Sequence, residues 1–196
     1  MMLEKTRYKK VFITGALGFV GQALSERYCQ LGAETCGLDV RADAAAGIVA
    51  GDVSRPEEWQ GVVSGCDLVI HTAAIVTNNV SHSEAWRVNV LGTRRVLDAA
   101  VNAGVKRFVH ISSLAAMRFI LADQADETAA VMPTGNPYVD TKVASEHAVL
   151  AVHAAGELDC TIIRPADIYG PGSRPWTMIP LQMIKKGLFL LPAHGQ

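Results

Sequence analysis

Within PYVDTKVASEHAVL, Tyr138 and Lys142 stand four residues apart. On a helix that spacing puts both side chains on one face as neighbours. A phenol is ordinarily too weak an acid to exchange protons at neutral pH, but an adjacent ammonium stabilises the phenolate. The pair therefore reads as an acid/base unit in which Tyr138 moves the proton. The same spacing occurs on solvated helix faces, so the chemistry needs a second feature to stand on. Ser112 and Ser113, in HISS, offer hydroxyls at the end of a strand-like run, and the carboxyl ends of strands are where open parallel sheets bind ligands. A serine pair that only turns the chain would look the same.

The second feature is TGALGFVG, which follows the strand-like KVFIT and opens a helical pattern. Gly15, Gly18 and Gly21 recur three apart, although glycine weakens strands and helices alike. In a strand-turn-helix setting each has a use. Gly15 allows the tight turn, Gly18 lets a pyrophosphate approach the backbone, and Gly21 lets the helix pack close to the strand. A helix starting near Phe19 and Val20 points unpaired N–H groups and its positive dipole end at the phosphates. Asp39, in GLDV at the end of the second strand-like run, is placed to accept the hydroxyls of an adenosine ribose and to repel a 2′-phosphate. This favours NAD over NADP, although Arg41 just beyond is a residue that would take a phosphate. Asp52 and Val53, in GDVSRPEEW, close the third run, where they would border the adenine; Asp52 fits a turn equally well. An oxidised nicotinamide beside Tyr138 would add to Lys142 in stabilising the phenolate.

The elements that must position these residues alternate. Apolar strand-like runs lie at 10–14, 34–39, 47–51, 67–72, 106–112 and 159–164, with helical patterns at 19–31, 55–63, 82–103 and 137–155. Strand and helix in short alternation predict an α/β fold, a doubly wound parallel sheet of the Rossmann type. The stretch 114–136 is too long for an ordinary connection and reads as a functional loop.

Composition narrows the partners. The 196 residues are 49% hydrophobic, enough for a real core. With 18 basic against 19 acidic residues the chain carries no footprint for nucleic acid or an anionic membrane, which leaves a small-molecule substrate or another protein. No apolar run approaches membrane-spanning length and no apolar leader follows the opening MMLEKTRYKK, so the chain reads as cytoplasmic. The four cysteines include no CxxC pair, and the six histidines show no metal-ligand spacing.

TGALGFVG, HTAAIV, VNVLGTRRVLDAA, HISS, PYVDTK and RPADIYGPG together resemble the extended short-chain dehydrogenase/reductases of the NAD-dependent epimerase/dehydratase type, over about residues 9–175. The resemblance implies hydride transfer between a secondary alcohol or ketone and NAD, with Ser113 orienting the reacting oxygen and with Tyr138 and Lys142 also contacting the cofactor, Lys142 holding its ribose; Ser112 stays open for the role of Ser113 and as a cofactor contact. It implies that Asn89 distorts its helix and holds a water near Lys142. It puts His71, Ala73 and Ala74 along the cofactor, with a buried structural histidine as the other reading of His71. Pro165 and Ile168 would lie against the nicotinamide. Residues 1–175 would form the NAD-binding domain and 176–196 the start of a smaller C-terminal substrate region, largely missing, that would cover apolar groups around Trp176, Ile179, Leu188 and Phe189. The family also implies a homodimer through the 82–103 and 137–155 helices. ISSLAAMRF departs from the VYG-like segment of sugar-nucleotide epimerases, and HTAAIV and PYVDTK also resemble hydroxysteroid dehydrogenases. Epimerase, dehydratase and dehydrogenase chemistry stay open, as does a non-catalytic NAD sensor, though such relatives typically lose the Tyr or the Lys.

Overall fold

The computed structural model describes residues 5–77, 79–117 and 125–188. Strands β1 (Lys10–Thr14), β2 (Glu34–Asp39), β3 (Ile48–Ala50), β4 (Leu68–His71), β5 (Arg107–Ile111) and β6 (Asp159–Ile163) form one sheet. Its order is β3-β2-β1-β4-β5-β6 and every pairing is parallel. The order reverses between β1 and β4, so the crevice at their carboxyl ends is where this topology leaves room for a ligand.

Alternation along the strands divides the core in two. Phe12, Leu38, Val69 and Phe108 face one side, against Val96, Leu97, Val149 and Val152. Val11, Ile13, Leu68 and Ile70 face the other, with Leu24 and Tyr28 packed there. Helix α1 (Phe19–Gln30) supplies the second cover; α3 (Gly92–Asn102) and α4 (Pro137–Ala154) supply the first. Burying each large apolar side chain of this kind contributes about 1.5–3 kcal/mol. Helix α4 starts where it does because Pro137 sits in its first turn and the Asn136 side chain accepts from the backbone N–H groups of Tyr138 and Val139.

Two helical patterns resolve differently from the sequence expectation. The 55–63 stretch is a pair of 3₁₀ turns, Pro56–Glu58 and Gln60–Val63. Trp59 between them is buried and its indole donates to the Asp52 carbonyl at 2.8 Å, so the chain wraps one ring instead of extending a helix. The 82–103 stretch is α2 (His82–Ala85), a π-helical turn Trp86–Leu91 and then α3.

The chain divides into two compact units, Met1–Arg164 and Pro165–Gln196, a boundary ahead of the 175 expected from sequence. The second unit carries a π-helical turn, Arg174–Met178, and helix α5 (Ile179–Lys185). Trp176, Ile179 and Leu188 are exposed; Phe189 lies outside the described residues, as do 118–124 of the long loop. Among the described residues no helix is long and apolar enough to cross a membrane, and no cluster of three or more metal-ligating side chains occurs. All four cysteines are free thiols.

Candidate active site

The turn after β1 is built from backbone. Gly15 takes φ +66°, and a Cβ there would come 2.8 Å from Thr72 Oγ1 and 2.9 Å from the Ala73 nitrogen. The tight turn and the close approach of the segment after β4 both exclude a side chain. A Cβ on Gly21 would overlap the Gly15 carbonyl oxygen and come 2.9 Å from Ala16 Cα, so its absence lets α1 seat against the turn. Gly18 is the N-cap of α1, without a side-chain cap. Among the described residues, the backbone N–H groups of Phe19 and Val20 have no hydrogen-bond partner. They are donors at a helix N-terminus left for an anion. Asp39 closes β2 beside this turn: its Oδ2 accepts from the Leu17 N–H at 2.9 Å and its Oδ1 from the Val40 N–H at 2.8 Å. Each oxygen keeps a lone pair for a further donor such as a ribose hydroxyl. Ala73 and Ala74 follow on the other side of the crevice, with the Ala73 N–H donating to Thr14 Oγ1 at 3.3 Å.

The other half of the site is made of side chains. Ile111, Ser112 and Ser113 leave β5, and α4 meets them with residues spaced one turn apart. Ser113 acts on the Tyr138 phenol to lower its pKa, Lys142 Nζ donates to the Ile111 carbonyl at 2.8 Å, and Ser112 Oγ donates to Glu146 Oε1 at 2.5 Å. Lys142 Nζ lies 6.0 Å from the centre of the Tyr138 ring. Lys142 and Glu146 are 4% and 0% exposed. Burial pulls the Lys142 ammonium down to about 8 while Glu146 holds it up. Burial pushes the Tyr138 phenol above its ordinary value, and Ser113 works against that. Arg164 grips Glu146 with both ends of its guanidinium, at 2.9 and 2.8 Å, and donates to the Glu127 carbonyl at 2.9 Å.

Asn89 sits in the π-helical turn at 2% exposure. Its Oδ1 accepts from the Ile75 N–H at 2.7 Å, and its Nδ2 donates to the Ile75 carbonyl and to Thr141 Oγ1 at 3.1 and 3.0 Å. The helix distortion expected at this residue is present, and its amide clamps the segment after Ala73 and Ala74 to α4. The His71 ring is fully engaged. Thr93 Oγ1 gives its proton to the Asn89 carbonyl at 2.6 Å, so it must accept from His71 Nε2 at 2.9 Å; Nδ1 then accepts from Thr14 Oγ1 at 2.7 Å. Burial drives this imidazole down to about 3 and keeps it neutral. Of the two readings of His71, the side chain serves the structural one. Asp52 is likewise occupied: its Oδ1 accepts from Ser54, and its Oδ2 pairs with Arg87 at 2.5 Å. Val53 packs inward, where a Cβ on Gly92 would meet it at 2.6 Å. Asp52 is thus tied to Arg87 and Ser54, and Val53 to the start of α3. Pro165 and Ile168 belong to the second unit, where the Ile168 carbonyl accepts from Ser173 Oγ at 2.7 Å.

Residues 11–188 match the sequence profile of the NAD dependent epimerase/dehydratase family. The chain belongs to that family. It is 32% identical over 188 residues to the 3-beta-hydroxysteroid dehydrogenase of Mycolicibacterium neoaurum, covering 87% of this chain and 50% of that protein. It is 34% identical over 136 residues to the dTDP-glucose 4,6-dehydratase of Streptomyces niveus, covering 68% of this chain and 40% of that one. Among solved structures, the dTDP-glucose 4,6-dehydratase DesIV double mutant from Streptomyces venezuelae, with NAD and DAU bound, superposes with TM-score 0.77 at 28% identity, over 90% of this chain and 62% of the other. The chain thus spans about half the length of the curated relatives it matches.

Sequence reasoning missed Glu146, Arg87 and the threonines Thr14, Thr93 and Thr141. Glu146 carried a signal, since it continues the four-residue series from Tyr138 through Lys142. The threonines carried none, because a hydroxyl's partners depend on elements far apart in the chain.

Proposed function

We propose that this chain binds NAD over the carboxyl ends of β1, β2 and β4, and that the protein transfers hydride between a secondary alcohol or ketone and the nicotinamide. The supporting observation is that Ser113, Tyr138 and Lys142 converge at the carboxyl end of β5, on the same sheet edge as a glycine turn with unpaired N–H groups. When bound, NAD supplies the hydride acceptor, or in its reduced form the donor. Phe19 and Val20 N–H would hold the pyrophosphate and Asp39 the ribose hydroxyls. Ser113 orients the substrate oxygen. In the oxidising direction Tyr138 takes the hydroxyl proton as the C–H pair leaves; in the reducing direction it gives the proton back. Lys142, at about 8, keeps its charge at neutral pH and stabilises the phenolate.

The substrate is a hydroxysteroid-like or sugar-nucleotide alcohol, two of the classes named among the relatives. Trp86, Leu91 and Leu150 are exposed on the helical segments expected to pair in a homodimer, and we read that surface as the dimer contact. Four free thiols fit a reducing compartment such as the cytoplasm. The test is a cofactor-reduction assay over a panel of 3-hydroxysteroids, sugar nucleotides and simple secondary alcohols, with sedimentation to give the assembly. Turnover of at least one class is the expected result. NAD binding with no turnover on any class would favour the sensor instead.

A further inference from the structure

The tripeptide Ile111-Ser112-Ser113 meets one face of α4 at three residues one turn apart: Ser113 acts on the Tyr138 phenol, the Ile111 carbonyl accepts from Lys142, and Ser112 donates to Glu146. Two of these contacts belong to residues that would touch substrate or cofactor. The third does not, yet its helix residue is the most deeply buried, and its carboxylate is the only one of the three groups fixed by a charged partner, Arg164 just after β6. A fully buried carboxylate is costly unless paired and hydrogen-bonded, and here two guanidinium bonds and a serine hydroxyl meet that requirement. Resting on the oxidoreductase reading above, we propose that Glu146 is a positioning residue for the reaction, setting the pose of Ser112-Ser113 and the charge of Lys142 on which the tyrosine depends.

The groups around Lys142 make this reading specific. From its own helix it faces Tyr138 and Glu146. From β5 and β4 it faces His110 and His71, both held neutral by burial. Arg164, at the end of β6, reaches Glu146. Among the described residues, Glu146 is thus the one anion that supports the ammonium. Removing its charge lowers the Lys142 pKa, leaves less ammonium near neutrality and raises the Tyr138 pKa. Proton abstraction by Tyr138 then needs a higher pH.

The test reads Lys142 directly, without cofactor, by following side-chain ¹³Cε signals of labelled lysines against pH. The Lys142 signal is the one lost in Lys142→Met. In the parent chain it should titrate near 8, apart from the other lysines. In Glu146→Gln the midpoint should fall by roughly one pH unit. Because a lone Arg164 left in the interior threatens folding, Glu146→Gln/Arg164→Met is the second variant; a smaller fall in the same direction is expected, because the guanidinium that opposes the ammonium is removed as well. A midpoint unmoved in a folded variant overturns the proposal. In turnover, the acid limb of the kcat profile should move up in pH while the NAD dissociation constant stays within about twofold of the parent. A lower kcat with an unmoved limb would mark Glu146 as merely structural. If the parent neither binds NAD nor turns over, the functional reading falls, and the lysine titration still decides the role of Glu146.

Discussion

The two halves of the site solve positioning in opposite ways. Around β1 the groups proposed to hold NAD are backbone N–H donors, and the geometry depends on side chains that are missing, at Gly15 and Gly21. Around β5 and α4 the groups proposed to act on the substrate are a phenol, an ammonium and a hydroxyl, held by side chains that are present and buried. A backbone site tolerates no added atom; a side-chain site tolerates no lost charge or bond. Failure should therefore separate, with binding lost from the first half and proton transfer from the second.

Tyr138→Phe should give the largest effect, a loss of turnover of about 10²–10⁴-fold, with NAD affinity nearly unchanged. Lys142→Ala should damage both. Kinetics paired with a binding titration check this, and wild-type kcat in Tyr138→Phe would end the proposed mechanism. Gly21→Val comes next. Its side chain overlaps the Gly15 carbonyl, so it should cost about 1–3 kcal/mol in chemical denaturation and abolish NAD binding. Its Lys142 titration should stay near that of the parent, which is the sharpest sign that the halves are independent.

Asp39→Ala should weaken NAD by about 1–3 kcal/mol and narrow its advantage over NADP, measured as two dissociation constants. Unshifted relative affinities would make Asp39 structural only, a clip on the Leu17 N–H. The last prediction concerns acid. The folded-state pKa of His71 lies at about 3, below its ordinary 6.5, so the unfolded chain binds more protons between those values. The stability from keeping His71 neutral is complete above about 6.5 and is lost as pH falls through that window, at about 1.4 kcal/mol per pH unit. His71→Gln should flatten this part of the stability profile; an unchanged slope would assign the acid loss to other groups.

The same contrast explains what could be read from the sequence. A turn that forbids side chains writes glycine into the chain at fixed spacing, so Gly15, Gly18 and Gly21 were legible, and with them the strand and helix they join. Parallel strands buried on both faces, such as β1 and β4, were legible as continuous apolar runs. The Tyr138–Lys142 pair was legible because both ends lie on one helix. Asp52, Val53 and His71 were placed at the right strand ends, but their side chains are committed to Arg87, to Gly92 and to two threonines, partners that only the folded sheet brings near. The π-helical turn at Asn89 left no periodic trace, since one extra residue in a turn hardly disturbs the spacing of the apolar face.

The central claim is that the β1 turn and Asp39 form a dinucleotide site, and calorimetric titration of this chain with NAD and NADP tests it most directly. The expected result is one NAD bound per chain, with NADP weaker by about 5- to 150-fold, because the loss of the Asp39 hydrogen bonds and its repulsion of the phosphate are worth about 1–3 kcal/mol. No binding of either dinucleotide, or equal binding of both, would contradict it.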